Sequence, residues 1–232
     1  IFTESDGVLF AHGFDKRRKN IFRVREFEKK LSNVFKSKYV QCVSSGTAAI
    51  KIALKSLGVK HGDEVITQSF NFIATIEAIL DCGAKPIITG INEDLNMSSE
   101  ELSKLITKKT KAVILVHMLG YSAELDKIQK VCKKKKIPLI EDNCEAMGAT
   151  FRKKKYLYFK RYHDHGHKLL RNLPRGIDDA DMPGFNYRMT ELQAAVGLAQ
   201  LSKLDYILRE SKKRFIAIEN RFKNKVKLRG IY

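Results

Sequence analysis

An α/β fold, with a mainly parallel sheet covered by helices on both faces, follows from two features of the sequence. Apolar runs at 39–44 (YVQCVS), 64–67 (EVIT), 85–91 (KPIITGI), 111–118 (KAVILVHM) and 137–141 (IPLIE) alternate with stretches of helical periodicity. Within those runs Val, Ile and Leu follow one another with little polar interruption, as strands buried on both faces require.

The elements can be taken in order. Val24, Phe27, Leu31, Val34 and Phe35 recur at helical spacing with charges between them, which predicts an amphipathic helix over 24–35. The five strands follow, and Ser98 with Glu101 three residues on has the pattern of a capping box that opens a helix over 99–107. After Asp142 the rhythm fails. Residues 151–170 (FRKKKYLYFKRYHDHGHKLL) hold no clean strand, and Gly166, Pro174, Gly176, Pro183 and Gly184 mark irregular chain to about residue 186. A long helical pattern then runs from Thr190 to about Lys223, with Leu192, Val196, Ala199, Leu204, Leu208, Phe215 and Phe222 on its apolar side. Only KVKLRGIY follows, too short for a further domain. Two parts are therefore expected: a large α/β domain over 1–188, and over 189–232 a linking helix with the start of a truncated small domain.

Composition narrows the function classes. The 232 residues suffice for one large core, and 30% charged with 44% hydrophobic residues argues against long disordered tracts. Lys plus Arg number 44 against 26 Asp plus Glu, a formal charge of +18, but the excess is spread in short runs such as Lys133–Lys136 and Lys153–Lys155. Such runs are ordinarily solvated helix ends or loops, and no nucleic-acid-binding motif accompanies them, so no nucleic-acid partner is expected. Cys42, Cys82, Cys132 and Cys144 form no C-x-x-C pair, and no apolar run is long enough to cross a membrane, so a reduced, cytoplasmic setting is expected. His163, His165 and His167 alternate in a loop, but no second cluster completes a metal site, and none is expected.

Three positions carry chemistry at the carboxyl edge of the predicted sheet, where parallel sheets bind ligands. Ser44-Ser45-Gly46-Thr47 precedes a helix whose free N–H groups and dipole suit a phosphate; a simple N-cap is the plainer alternative. Phe72, in SFNFIAT, offers an aromatic face for a planar ring, or else belongs to the core. Asp142 ends IPLIED, with Glu145 three residues on; its carboxylate could hold a pyridine nitrogen protonated or cap the next turn.

The order SSGTAAI, SFNFIAT, VHMLG, IEDNCEAMGA, DHGH and GFNYRMTELQAAVGLAQL closely resembles the DegT/StrS-type nucleotide-sugar aminotransferases, which are fold type I pyridoxal-phosphate (PLP) enzymes, over about residues 10 to 210. By matching position, the resemblance implies that Gly46 and Thr47 bind the phosphate of pyridoxal 5'-phosphate and that Phe72 stacks on its ring. Asp142 pairs with the ring nitrogen and Glu145 sits near the ring hydroxyl. Asn186, in GFNYRM, reaches the phosphate of the neighbouring subunit of a homodimer. His117, in VHMLG, lies near the substrate, or is a buried structural histidine. The activity implied is transfer of an amino group, from glutamate, to a keto carbon of a nucleotide-linked deoxysugar.

Two departures accompany the resemblance. The family carries its Schiff-base lysine in a segment between the GATF turn and DHGH, whereas here Phe151–Lys155 runs straight into Tyr156, so a segment is missing near 152–156. Lys153, Lys154 and Lys155 do not match that lysine, and the family's small domain is not matched after Tyr232. The alternatives are a PLP-dependent nucleotide-sugar 3-dehydratase, which uses histidine in place of the lysine, and a non-catalytic remnant of the family.

Overall fold

The computed structural model describes residues 4, 6–9, 15–146 and 187–222. Two compact units divide the chain. One comprises Ile1–Cys42, Arg152–Tyr156 and Arg188–Tyr232, the other Val43–Phe151 and Leu157–Tyr187.

The second unit holds the sheet. The first helix of the protein, α1 (Arg23–Val34), belongs to the other unit, and the sheet unit begins with α2 (Gly46–Ser56). There follow β1 (Glu64–Gln68), α3 (Ile73–Asp81), β2 (Lys85–Thr89), α4 (Ser99–Leu105), β3 (Thr110–Val116), α5 (Leu125–Lys135) and β4 (Leu139–Asp142). The strands form a sheet in the order β2-β1-β3-β4 with every pairing parallel. The mainly parallel α/β reading is correct.

Successive side chains of a strand point to opposite faces, and the packing follows that alternation. Val65, Ala112, Ile114 and Ile140 face a cluster built with Ile50, Ala53 and Leu54 of α2 and Ala78 and Ile79 of α3. Ile66, Val113 and Leu115 face the other way, against Leu102 of α4 and Leu125, Ile128 and Cys132 of α5. Full burial of each Val, Leu or Ile contributes about 1.5–3 kcal/mol, so this double-faced core is what holds the carboxyl ends of the strands in place.

Three local expectations are corrected. The run 39–44 is no strand: the Cys42 N–H and the Gln41 side-chain amide both turn to the Glu28 carboxylate, at 2.9 Å each. The Cys42 N–H, satisfied in this way, is not available to a ladder. The capping box at Ser98 is half formed. Ser98 Oγ accepts the Glu101 N–H at 3.3 Å, but the Glu101 carboxylate accepts from the Gly90 N–H instead of reaching back to Ser98. The long C-terminal helix is two helices, α6 (Glu191–Leu201) and α7 (Leu204–Phe222), parted where Ser202 Oγ donates to the Ala199 carbonyl at 2.8 Å.

In the first unit α1 packs on α6, and the buried face of α6 is not the one expected. Leu192 and Val196 are exposed, while Ala194 is buried and a Cβ on Gly197 would lie 2.6 Å from the Phe27 ring. Close approach selects small residues there, so hydrophobic periodicity points to the wrong stripe. Glu191 joins the two helices. It is 1% exposed, pairs with the fully buried Arg18 at 2.8 Å, and accepts the N–H groups of Arg23 and, at 3.3 Å, Val24. Phe22 at the N-cap of α1 has no side-chain acceptor, and the carboxylate of Glu191 takes over that function from far along the chain.

Candidate functional site

β1 is flanked by β2 on one side and β3 on the other, so the strand order reverses between β1 and β3. In open α/β sheets ligands bind in the crevice outside the carboxyl ends of the strands at such a switch point. The loops that follow β1, β3 and β4, and the start of α2, carry the residues picked out from the sequence.

The start of α2 is open. Ser45 is the N-cap and its Oγ accepts the Ala48 N–H at 3.2 Å; the Ser44 N–H is held by the Tyr187 carbonyl at 2.8 Å. Among the described residues no acceptor takes the N–H groups of Gly46 and Thr47, both residues are exposed, and nothing lies within 4 Å of where a Gly46 Cβ would be. A helix of 11 residues with exposed N–H groups at its first turn attracts an anion. The cap reading and the phosphate reading are thus compatible, because they use different N–H groups.

Phe72 is the N-cap of α3 and stands 74% exposed, so it is not core. Asn71 shapes the turn beneath it: its Oδ1 accepts the Phe72 N–H at 2.7 Å and its Nδ2 donates to Thr67 Oγ1 at 3.0 Å. An aromatic face kept at the surface by a satisfied turn is free to receive a flat ligand.

Asp142 closes β4. Its carbonyl accepts the His117 N–H at 3.1 Å, which extends the β3–β4 ladder, and its Oδ1 accepts the Cys144 N–H at 3.1 Å. It therefore caps the turn, as the plainer reading had it. Burial, then a hydrogen bond with the Asp142 side chain and its charge, push the Cys144 thiol up to about 11, although the residue is exposed.

Glu145 Oε2 accepts the Leu119 N–H at 2.6 Å and so ties the loop after β4 to the turn Met118–Gly120 after β3. His117 is buried. Its Nδ1 accepts the Ala123 N–H at 3.2 Å and its Nε2 lies 3.5 Å from Glu141, which places the ring proton on Nε2. The ring thus works within the protein, beneath the edge.

Asn186 and the histidines of 163–167 lie outside the described residues. Among the described residues no group of three His, Cys, Asp or Glu side chains could hold a metal ion, and no helix is long and apolar enough to cross a membrane.

Sequence reasoning missed three supports of this edge. Gln68 and Asn96 are buried amides at its floor. Lys51, one and a half turns into α2, pairs with Asp81 of α3 and lies 5.6 Å from the centre of the Tyr187 ring. Burial opposes its charge, but Asp81 and Tyr187 outweigh that and raise its pKa. The one available signal was position: Gln68 directly precedes the SFNF motif, and Tyr187 lies within GFNYRM.

The chain is 33% identical over 215 residues to GDP-perosamine synthase of Vibrio cholerae, covering 80% of this chain and 59% of that protein. It is 34% identical over 236 residues to a putative pyridoxal phosphate-dependent aminotransferase, EpsN, of Bacillus subtilis, covering 87% and 60%. The chain thus spans less than two thirds of the length of these relatives. Among solved structures, the E. coli GDP-4-keto-6-deoxy-D-mannose-3-dehydratase with bound hydrated PLP is similar with a TM-score of 0.76 and 27% identity, over 90% of this chain and 67% of that one. The model of the DegT/DnrJ/EryC1/StrS aminotransferase family, whose aminotransferases depend on PLP, matches residues 19–160 and 158–229. Parallel topology and similarity agree, and the chain belongs to the DegT/DnrJ/EryC1/StrS aminotransferase family.

Proposed function

We propose that this chain supplies the cofactor-binding α/β domain of a nucleotide-sugar aminotransferase that uses pyridoxal 5'-phosphate. The observation that carries the reading is the convergence, at one carboxyl edge, of an open helix N-terminus, an exposed aromatic ring and a carboxylate. These three fit the three parts of the cofactor: phosphate, ring face and ring nitrogen.

When bound, that group supplies an electron sink for the carbon that gains or loses the amino group. The rest is the work of the protein. Gly46 and Thr47 present N–H groups, and Thr47 a hydroxyl, to the phosphate. Phe72 covers a face of the ring. Asp142 keeps a proton on the ring nitrogen through a charge-assisted hydrogen bond. Glu145 approaches the ring hydroxyl while its other bond, to Leu119, keeps the β3 turn closed. His117 holds that turn from below and stands close to where a substrate enters. Asn186 of a second copy completes the phosphate site in a homodimer. The keto sugar is carried on a nucleotide, as the name GDP-perosamine synthase implies for a relative, and glutamate is the amino donor.

The lysine of the family has no counterpart in 151–156. Two features support the reading that a segment is missing there. The family model matches in two pieces that meet at 158–160, and the match to the Bacillus protein runs over 236 positions while taking in only 87% of this chain. The similarity to the E. coli 3-dehydratase favours a second reading, in which the same cofactor edge serves dehydration. The residue that separates the two readings belongs to the missing segment.

The test is titration of the 232-residue chain with pyridoxamine 5'-phosphate, followed by cofactor fluorescence. Saturable binding that weakens when Phe72→Ala or Asp142→Asn is introduced supports the proposal. A folded chain that does not bind overturns it.

A further inference from the structure

Two amide side chains form the floor of the crevice between β1 and β3. Gln68, the last residue of β1, is 1% exposed, and Asn96, ahead of α4, is fully buried. β1 and β3 are paired as far as Thr67 and Ile114 and then part. Beyond that point the Val116 N–H finds its acceptor in Gln68 Oε1 at 3.2 Å, so that a side chain continues the ladder the backbone has left. Nε2 of the same amide donates to the carbonyls of Phe70, at 3.2 Å, and Leu95, at 3.4 Å.

Asn96 repeats the device one loop away. Its Oδ1 accepts the Met118 N–H at 3.1 Å, and its Nδ2 donates to Asp94 Oδ2 at 2.9 Å and to the Tyr121 carbonyl at 3.5 Å. The two amides thus join the loops after β1, β2 and β3. Leu95 and Leu119, in two of these loops, have φ of 62° and 56°, a left-handed conformation that leucine adopts at a cost. Such turns persist when their surroundings over-determine them, and the amides are those surroundings.

We infer that Gln68 and Asn96 are positioning residues that fix the width of this crevice, setting Phe72 on one wall against the Leu119–Glu145 wall on the other. The identity of the ligand rests on the proposed cofactor reading; the geometry does not. Neither side chain touches the ligand. Each acts by holding backbone that a buried, fully bonded amide can hold and an apolar side chain of the same size cannot.

The experiment uses the 232-residue chain with Gln68→Met and with Gln68→Glu, which retains the acceptor for Val116. Three quantities are measured: affinity for pyridoxamine 5'-phosphate by fluorescence, affinity for inorganic phosphate by phosphorus NMR, and hydrogen exchange at the Val116 and Met118 amides. Gln68→Met is expected to lose about tenfold in affinity for pyridoxamine 5'-phosphate, the equivalent of one hydrogen bond. Its affinity for phosphate stays unchanged, because the start of α2 does not depend on Gln68, and Val116 exchanges faster. In Gln68→Glu the Val116 amide keeps its protection. A merely structural role would weaken both ligands together.

Wild-type affinity for pyridoxamine 5'-phosphate and wild-type exchange at Val116 in Gln68→Met would overturn the inference, as would equal loss of both ligands. Should Gln68→Met not fold, loss of Val116 protection in Gln68→Glu would do the same. Failure of the unmodified chain to bind pyridoxamine 5'-phosphate strikes the cofactor reading alone, and exchange at Val116 and Met118 then decides the positioning role.

Discussion

Asp142 is where one side chain does two things. Its Oδ1 caps the turn through Cys144, and the carboxylate charge remains at the sheet edge. In a form of the protein that carries the lysine segment, Asp142→Asn keeps the cap acceptor and removes a charge-assisted hydrogen bond of roughly 1.5–3 kcal/mol. Transamination should fall about 10- to 150-fold, and full activity in that variant would exclude Asp142 from the ring nitrogen. Cys144 reports on the same carboxylate. The thiolate is the nucleophile, and a pKa raised to about 11 leaves little of it near neutrality. Alkylation of this exposed cysteine by iodoacetamide should be slow at pH 7 and rise about tenfold per pH unit up to about pH 11. In Asp142→Asn the profile should move to lower pH, since the carboxylate charge that helps raise the pKa is gone. A profile unmoved by that substitution would show that the Asp142 charge does not contribute.

Among the elements, α1 depends most on a distant residue. Glu191 neutralises Arg18 and caps α1 at once, both inside the first unit. Glu191→Gln removes the carboxylate that pairs with buried Arg18, and breaking a buried pair typically costs about 3–5 kcal/mol. Urea unfolding should show a loss of that size, and a loss below about 1 kcal/mol would mean that water reaches the pair. The double variant Arg18→Met with Glu191→Leu removes both charges and should recover much of the stability. On the other unit, Ser45→Ala removes one cap bond at α2 and should cost about 1 kcal/mol, leaving the Gly46 and Thr47 N–H groups available.

Across the whole molecule, binding and catalysis should separate in this chain. An ordinary lysine with a pKa near 10.4 is neutral in only about one molecule in 2,500 at pH 7, and none here matches the family position. Incubation with pyridoxal 5'-phosphate, borohydride reduction and peptide mapping should therefore find no single stoichiometric lysine adduct. One such adduct, with turnover, would show that a lysine of this chain replaces the missing one. With the segment restored, a mixture of impaired Asn186→Ala and impaired Asp142→Asn subunits should regain activity above that of either variant alone if Asn186 acts across a homodimer. Demonstrated subunit exchange without recovery would count against a shared site.

The sequence by itself determined the α/β class, the positions of four strands and the edge residues Gly46, Phe72 and Asp142. Each depends on local signals: near-continuous apolar runs for the strands, period-3.6 spacing for the helices, and chemistry placed at the end of an apolar run. Tertiary structure alone decided the rest. The run 39–44 has the residues of a strand, but Glu28 takes its donors. The stripe of α6 that is buried is its small one, because Phe27 of α1 lies against Gly197. Asn96 and Glu191 carry no signal in sequence, and Gln68 only its place beside SFNF, since an amide or carboxylate reads as surface until its partners are known. Those partners are backbone groups of other elements, 22 and 48 residues away for the Asn96–Met118 and Gln68–Val116 bonds and 168 for Glu191 with Arg23. Which donors and acceptors meet over such separations is set by how the packed elements align, a property that no window of sequence contains.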